Sequence, residues 1–161
     1  LKRPLALFVG NRILRDDRIG LVLGERLRER LESQGFEVEL FEGGGLAYVD
    51  YFQDRPAVVI IDSVKAPKCR IGTLLKLSPE EFKAVKGVSP HYTGLPEALM
   101  LMRELGIRPP KRLIIFGVVV KDIETPSTKM SPELEKLVDQ LAEELLAKIE
   151  AQLKPVSNPA H

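Results

Sequence analysis

The runs Ala57 to Ile61 and Leu113 to Val120 are β-branched and almost unbroken in their apolarity. Strands of that kind are buried on both faces, as in parallel sheets covered by helices, whereas strands with one wet face alternate apolar and polar residues. A chain with two such strands places them at the centre of a sheet and needs amphipathic helices to cover it. The second run is far shorter than a membrane span and contains Gly117, so it reads as a buried strand.

The helices that could do the covering are marked. From Ile19, the residues Leu23, Leu27 and Leu31 recur every four positions with Arg and Glu between them, and Gly35 ends the pattern. A second helix is expected over about Leu95 to Leu105, with Leu95, Leu99 and Met102 inward, Pro96 in its first turn and Gly106 beyond its end. The last helix has Ser131 as N-cap and Pro132 at the first helical position. Its stripe runs through Leu134, Val138, Leu141, Leu145 and Ile149 until Pro155. Leu5 to Val9, ending at Gly10, and Val38 to Phe41, ending at Gly43, Gly44 and Gly45, read as further strands. Arg70 to Leu77 mixes charge with apolar residues and reads as an edge strand.

This order predicts a three-layer α/β/α sandwich with a largely parallel, or mixed, central sheet of about five strands, because strands joined through helices pair in parallel by right-handed crossovers. The 161 residues suit one domain, expected over 1–153, with 154–161 as a frayed tail. Hydrophobic residues at 44% and charged residues at 29% describe a soluble globular chain, expected in the cytoplasm as a monomer. With 24 Lys and Arg against 23 Asp and Glu, nothing in the charge favours nucleic acid. The local clusters Lys65, Lys68, Arg70 and Arg108, Lys111, Arg112 lack interleaved aromatics. Cys69 is the only cysteine, which removes any intrachain disulfide or thiolate-cluster metal site.

In such a fold, ligands gather at the carboxyl ends of the strands. Asp17, Asp62 and His91 are brought toward that rim by this topology, and two carboxylates with an imidazole suit a borderline divalent metal. Each also has a plainer reading. Asp16 and Asp17 suit the first turn of the following helix, Asp62 suits a loop hydrogen bond, and a lone loop histidine is commonly a surface residue. Gly43, Gly44 and Gly45 form either a sharp turn or a stretch of backbone that a substrate chain can approach closely. No nucleophile is supported, because Ser63 lacks an elbow context and Cys69 has no base beside it. A nucleotide site is disfavoured: Gly10 to Gly20 lacks Gly-x-Gly-x-x-Gly spacing, and no Walker lysine signature is present.

Four segments in register carry a family resemblance. Gly10-Asn11-Arg12-Ile13-Leu14-Arg15-Asp16-Asp17-Arg18-Ile19-Gly20 resembles the N-terminal signature of the hydrogenase maturation endopeptidases. Ile60-Ile61-Asp62-Ser63-Val64 resembles their strand-end aspartate, and Ser89-Pro90-His91-Tyr92-Thr93-Gly94-Leu95 their histidine loop. Gly117-Val118 with Met130-Ser131-Pro132-Glu133 resembles their closing strand and helix start.

The resemblance implies a peptidase that removes a C-terminal extension from the large-subunit precursor of a nickel-iron hydrogenase once nickel is inserted. By the same resemblance, Asp17, Asp62 and His91 hold the metal. The nickel is supplied by the precursor rather than kept as a resident cofactor. Asp16 is the neighbouring acid in reach of a general-base role, and Asn11, Gly43, Gly44 and Gly45 lie on the substrate side. A non-catalytic sensor of nickel loading would use the same ligands. The chain departs from the pattern at Arg18, where glycine is common, and at Gly45, where threonine is frequent. Arg18 is expected to pair with Asp16 or Asp17, or to bind an acidic group of the precursor.

Overall fold

A computed structural model describes residues 2–86 and 94–153. Within them, five strands form one sheet in the order β2-β1-β3-β5-β4. The strands are β1 (Leu5–Val9), β2 (Glu37–Phe41), β3 (Ala57–Val64), β4 (Leu74–Leu77) and β5 (Arg112–Val119). All neighbours pair in parallel except β4, which lies antiparallel on β5 at the edge. The two unbroken apolar runs are β3 and β5, and both lie in the interior of the sheet, as their composition requires.

The period-2 alternation of the strands divides the core in two. Ala6, Phe8, Val59, Ile61, Ile114, Phe116 and Val118 face one layer, made by helices α1 (Ile19–Ser33), α5 (Pro132–Glu135) and α6 (Val138–Leu153). Leu5, Leu7, Val9, Val58, Ile60, Val64, Ile115 and Val119 face the other, made by α2 (Tyr48–Phe52), α3 (Pro79–Lys86) and α4 (Leu95–Glu104). The result is the expected α/β/α sandwich on a mixed five-stranded sheet.

The first and last helices bury the residues expected of them. Ile19, Leu23, Leu27 and Leu31 are buried on α1, and Gly35 follows it with φ +93°, where the Phe36 amide donates back to the Leu31 carbonyl at 3.1 Å. Gly20 lets α1 sit directly on β1, since a Cβ there would fall 2.0 Å from the Val9 carbonyl oxygen. In α4, Leu95 and Met102 are buried and Leu99 packs at the margin.

Four expectations change. The strand proposed from Arg70 shortens to Leu74–Leu77, because Arg70 to Thr73 close a turn in which the Thr73 hydroxyl donates to the Arg70 carbonyl at 2.6 Å. The helix from Pro132 is broken into α5 and α6, and Ser131 makes no side-chain cap. Its hydroxyl is committed elsewhere. β3 runs on to Val64, so Asp62 lies inside a strand rather than after it. Helices α2 and α3 were not anticipated. The expected loop Gly87 to Thr93, with His91, and the tail 154–161 lie outside the described residues.

Candidate functional site

β1 leads to β2 on one side and, after the second crossover, the chain returns to lay β3 on the other, so the chain's direction of progress reverses between β1 and β3. Loops diverge at such a point and open a crevice at the strands' carboxyl ends. The register sharpens it. β1 pairs with β3 only as far as Phe8 with Ile61, whereas β3 continues beside β5 to Val64 with Val119. Asp62 and Ser63 therefore project just where β1 has ended.

A cleft of about 320 Å³ lies there, lined by residues that include Asn11, Asp17, Gly43, Asp62 and Lys86. Asp17 comes from the loop after β1, which folds back on itself through the Asn11 amide and the Asp17 carbonyl at 3.1 Å. The Asn11 side chain is turned to its own loop, accepting the Ile13 amide at 3.0 Å. Gly43 reaches the cleft. Gly45 instead is buried at the start of a 3-10 turn, Gly45–Ala47, with φ +63°, a conformation that glycine adopts without the Cβ penalty a threonine would meet. Gly44 is extended, and neither of these two lines the cleft.

The carboxylates of Asp17 and Asp62 converge through a shared set of partners. Lys86 Nζ donates to Asp17 Oδ1 at 2.8 Å, to Asp62 Oδ1 at 3.1 Å, to Ser63 Oγ at 3.0 Å and to the Ser63 carbonyl at 3.1 Å. Ser63 Oγ in turn donates to Asp17 Oδ1, and the Ser63 amide donates to Asp62 Oδ1 at 2.7 Å. Asp62 Oδ2 is buried and has no hydrogen-bond partner among the described residues.

Burial pushes the Asp62 carboxyl up from 3.8 to about 7; Lys86 pulls against that shift and the nearby Asp17 charge adds to it. Burial opposes the charge on Lys86 as well, but Asp62 and Asp17 outweigh it and its pKa is raised. A carboxyl oxygen without a partner in a desolvated crevice is a fitting ligand for a cation. His91 is outside the described residues, among which no group of three or more His, Cys, Asp or Glu side chains gathers as a metal site.

Lys86 is the residue that sequence reasoning missed. It ends α3, and α3 has a sequence signature after all: Ser78-Pro79-Glu80-Glu81 is a capping box. The Ser78 amide donates to Glu81 Oε1 at 2.9 Å and the Glu81 amide to Ser78 Oγ at 3.1 Å. Recognising it would have put Lys86 about two turns into a helix, while its place beside Asp62 depends on how that helix packs.

Asp16 and Arg18 both find their partners away from the cleft. Asp16 is fully buried and does not line the cleft. It accepts the Asp122 amide at 3.0 Å, the Ser131 amide at 2.7 Å and the Ser131 hydroxyl at 2.7 Å. Its oxygens are thus spent on tying the Asp17 loop to the segment after β5, away from the cleft that a general base would face. Nor does it cap α1, which has no acidic residue in its first turn and no side-chain cap. Arg18 pairs with neither aspartate: its guanidinium donates to the backbone carbonyls of Arg12, Ser127 and Thr128.

Comparison with known proteins decides the family. The profile of the hydrogenase maturation proteases matches residues 21–148. The chain belongs to that family. This hydrogenase maturation protease is 32% identical over 149 residues to the hydrogenase 2 maturation protease of Escherichia coli strain K12, covering 90% of this chain and 89% of that one. Its fold matches the solved hydrogenase maturating endopeptidase HybD of E. coli with a TM-score of 0.71 at 28% identity, over 94% of both chains. It also matches the NiFe hydrogenase maturation protease HybD of Thermococcus kodakarensis, with a TM-score of 0.66 at 25% identity, over 91% of this chain and 99% of that one. Among the described residues of the protease, no helix is long and apolar enough to cross a membrane.

Proposed function

We propose that this protease removes the C-terminal extension of the large-subunit precursor of a nickel-iron hydrogenase after nickel insertion, and that Asp17, Asp62 and His91 engage the nickel seated in that precursor. The observation supporting the carboxylate part is the convergence of Asp17 and Asp62 at the crevice between β1 and β3, with Asp62 Oδ2 buried and unpartnered among the described residues. Such an oxygen gains most from a positive charge brought against it, because the low dielectric that makes it costly when bare strengthens its pairing.

The ion arrives as part of the substrate, so nickel is cargo rather than a resident cofactor. The chain's own residues then have three tasks. Asp17 and Asp62 bind and orient the loaded end of the precursor. Asn11 and Gly43, at the cleft wall, leave room for an extended peptide to lie against the backbone. Asp16 holds the Asp17 loop in place from behind. With its pKa near 7, Asp62 is only partly ionised at neutral pH, and a cation against Oδ2 completes its ionisation and releases a proton.

Mass spectrometry of a large-subunit precursor, loaded with nickel or free of it and incubated with the protease, tests the reading. The expected result is loss of one C-terminal peptide from the loaded precursor alone, and no loss with Asp62→Asn. Equal cleavage of the nickel-free precursor would remove the nickel requirement. A loaded precursor that is bound but left intact would turn the protein into a sensor of loading.

A further inference from the structure

We propose that Lys86 is a built-in stand-in cation: its ammonium weakens the hold of the Asp17–Asp62 pair on free divalent metal, which displaces it only at high concentration, and gives way readily to nickel presented by a bound precursor. This rests on the carboxylate–nickel reading above and adds to it the selectivity between two sources of the same ion.

The geometry supplies three parts of the argument. First, the ammonium already sits where a shared cation would, within 2.8 Å of Asp17 Oδ1 and 3.1 Å of Asp62 Oδ1. A divalent ion bridging the pair would compete for those same oxygens. Second, the lysine is held but not trapped. Its side chain is 13% exposed and lines the cleft, so a path to solvent exists along the route an incoming group would take. An ammonium on a four-carbon stem can be withdrawn by bond rotations alone, without unwinding the helix that carries it. Third, Asp62 Oδ2 is free of hydrogen bonds among the described residues. Buried and unpartnered, that oxygen is a ready ligand for a cation that takes the ammonium's place.

The consequence follows from population arithmetic. A ligand that binds only the fraction of molecules whose site is open loses affinity by that fraction. Free metal bears the whole of this loss. Nickel carried by a docked precursor meets the same loss but offsets it, because contacts elsewhere on the precursor hold the ion at high effective concentration beside the pair. The lysine thereby lowers affinity for the free ion while leaving the presented ion able to compete.

The test is calorimetric titration of nickel sulfate into the metal-free full chain as wild type, Lys86→Met and Lys86→Met/Asp62→Asn. Lys86→Met is expected to bind nickel about tenfold or more tightly than wild type, and the double variant is expected to lose that gain. Equal affinity of wild type and Lys86→Met overturns the proposal. If Lys86→Met does not fold, the wild-type protein gives the answer through reductive methylation of its lysines, read by mass spectrometry. Lys86 is expected to resist labelling without nickel and to label readily at saturating nickel, but not in Asp62→Asn. Unchanged labelling with nickel bound overturns the proposal. Cleavage of loaded precursor separates the two levels of inference: full cleavage by Asp62→Asn removes the carboxylate–nickel reading and this proposal with it. Lost cleavage with unchanged nickel affinity in Lys86→Met removes the role of the lysine alone.

Discussion

Asp16 and Asp17 are chain neighbours with opposite duties, and the difference lies wholly in what each carboxylate faces. Asp17 faces Lys86 and the cleft; Asp16 faces the Asp122 and Ser131 amides and the Ser131 hydroxyl, far away in sequence. Removing Asp16 leaves those buried donors unpaired, so Asp16→Ala is expected to cost about 3 kcal/mol or more in a urea melt, with unpaired polar groups at 1–3 kcal/mol each. Asp16→Asn, keeping one acceptor, should cost less. Asp62 makes a different prediction. Its folded pKa of about 7 lies above the ordinary 3.8, so between those values the folded protein holds a proton that the unfolded chain has released. Stability from this group therefore falls as pH rises through that window and is level above it. Urea melts from pH 4 to pH 8 should show a shallower decline in Asp62→Asn than in wild type. An acidic pair was legible in the sequence, but not its division of labour, because successive side chains in a non-helical loop diverge and only distant partners decide which one is buried.

At the level of elements, helix α3 shows why part of the site was hidden. Its eight residues bury only Phe82 and carry too little periodicity to stand out, yet its capping box is written plainly in Ser78 and Glu81. Ser78→Ala is expected to cost about 1 kcal/mol, the usual worth of an N-cap, and to raise amide exchange in α3 ahead of the other helices. The long helices were legible because the same stripe repeats over several turns. The break between α5 and α6 was not, since it is a local tightening of the turn, in which the Leu137 amide donates to the Leu134 carbonyl at 2.9 Å inside a stripe that runs on unbroken. Arg18, like Asp16, ties distant segments together. By donating to carbonyls of both the Asp17 loop and the segment after β5 it fastens two loops together, and a charged donor to backbone is worth about 1.5–3 kcal/mol. Arg18→Ala should lose about that much in a urea melt and broaden the amide resonances of Ser127 and Thr128.

Across the whole molecule, the site straddles the sheet. The loop holding Asp17 enters α1 in one helical layer, whereas Lys86 arrives on α3 from the other, and Asp62 stands between them at the end of the β1 pairing. The layered fold and the crevice were foreseeable, because unbroken β-branched runs demand central parallel strands and the reversal of strand order then creates a rim. That two layers each deliver one charge to the rim was not foreseeable, since it depends on which face of β3 each helix covers. The arrangement predicts that the two halves of the site can be loosened separately. Phe82 is fully buried in that layer's core, where α3 packs on α4 and on β3, β4 and β5, and it is the one residue of α3 that is buried. Phe82→Ala is expected to cost about 3–5 kcal/mol. It should also speed hydrogen exchange in α3 well beyond the rise seen in α1, because α3 can open without the α1 layer following. Equal acceleration in both helices would mean that the layers open together, and that the position of Lys86 is set by the whole core rather than by its own helix.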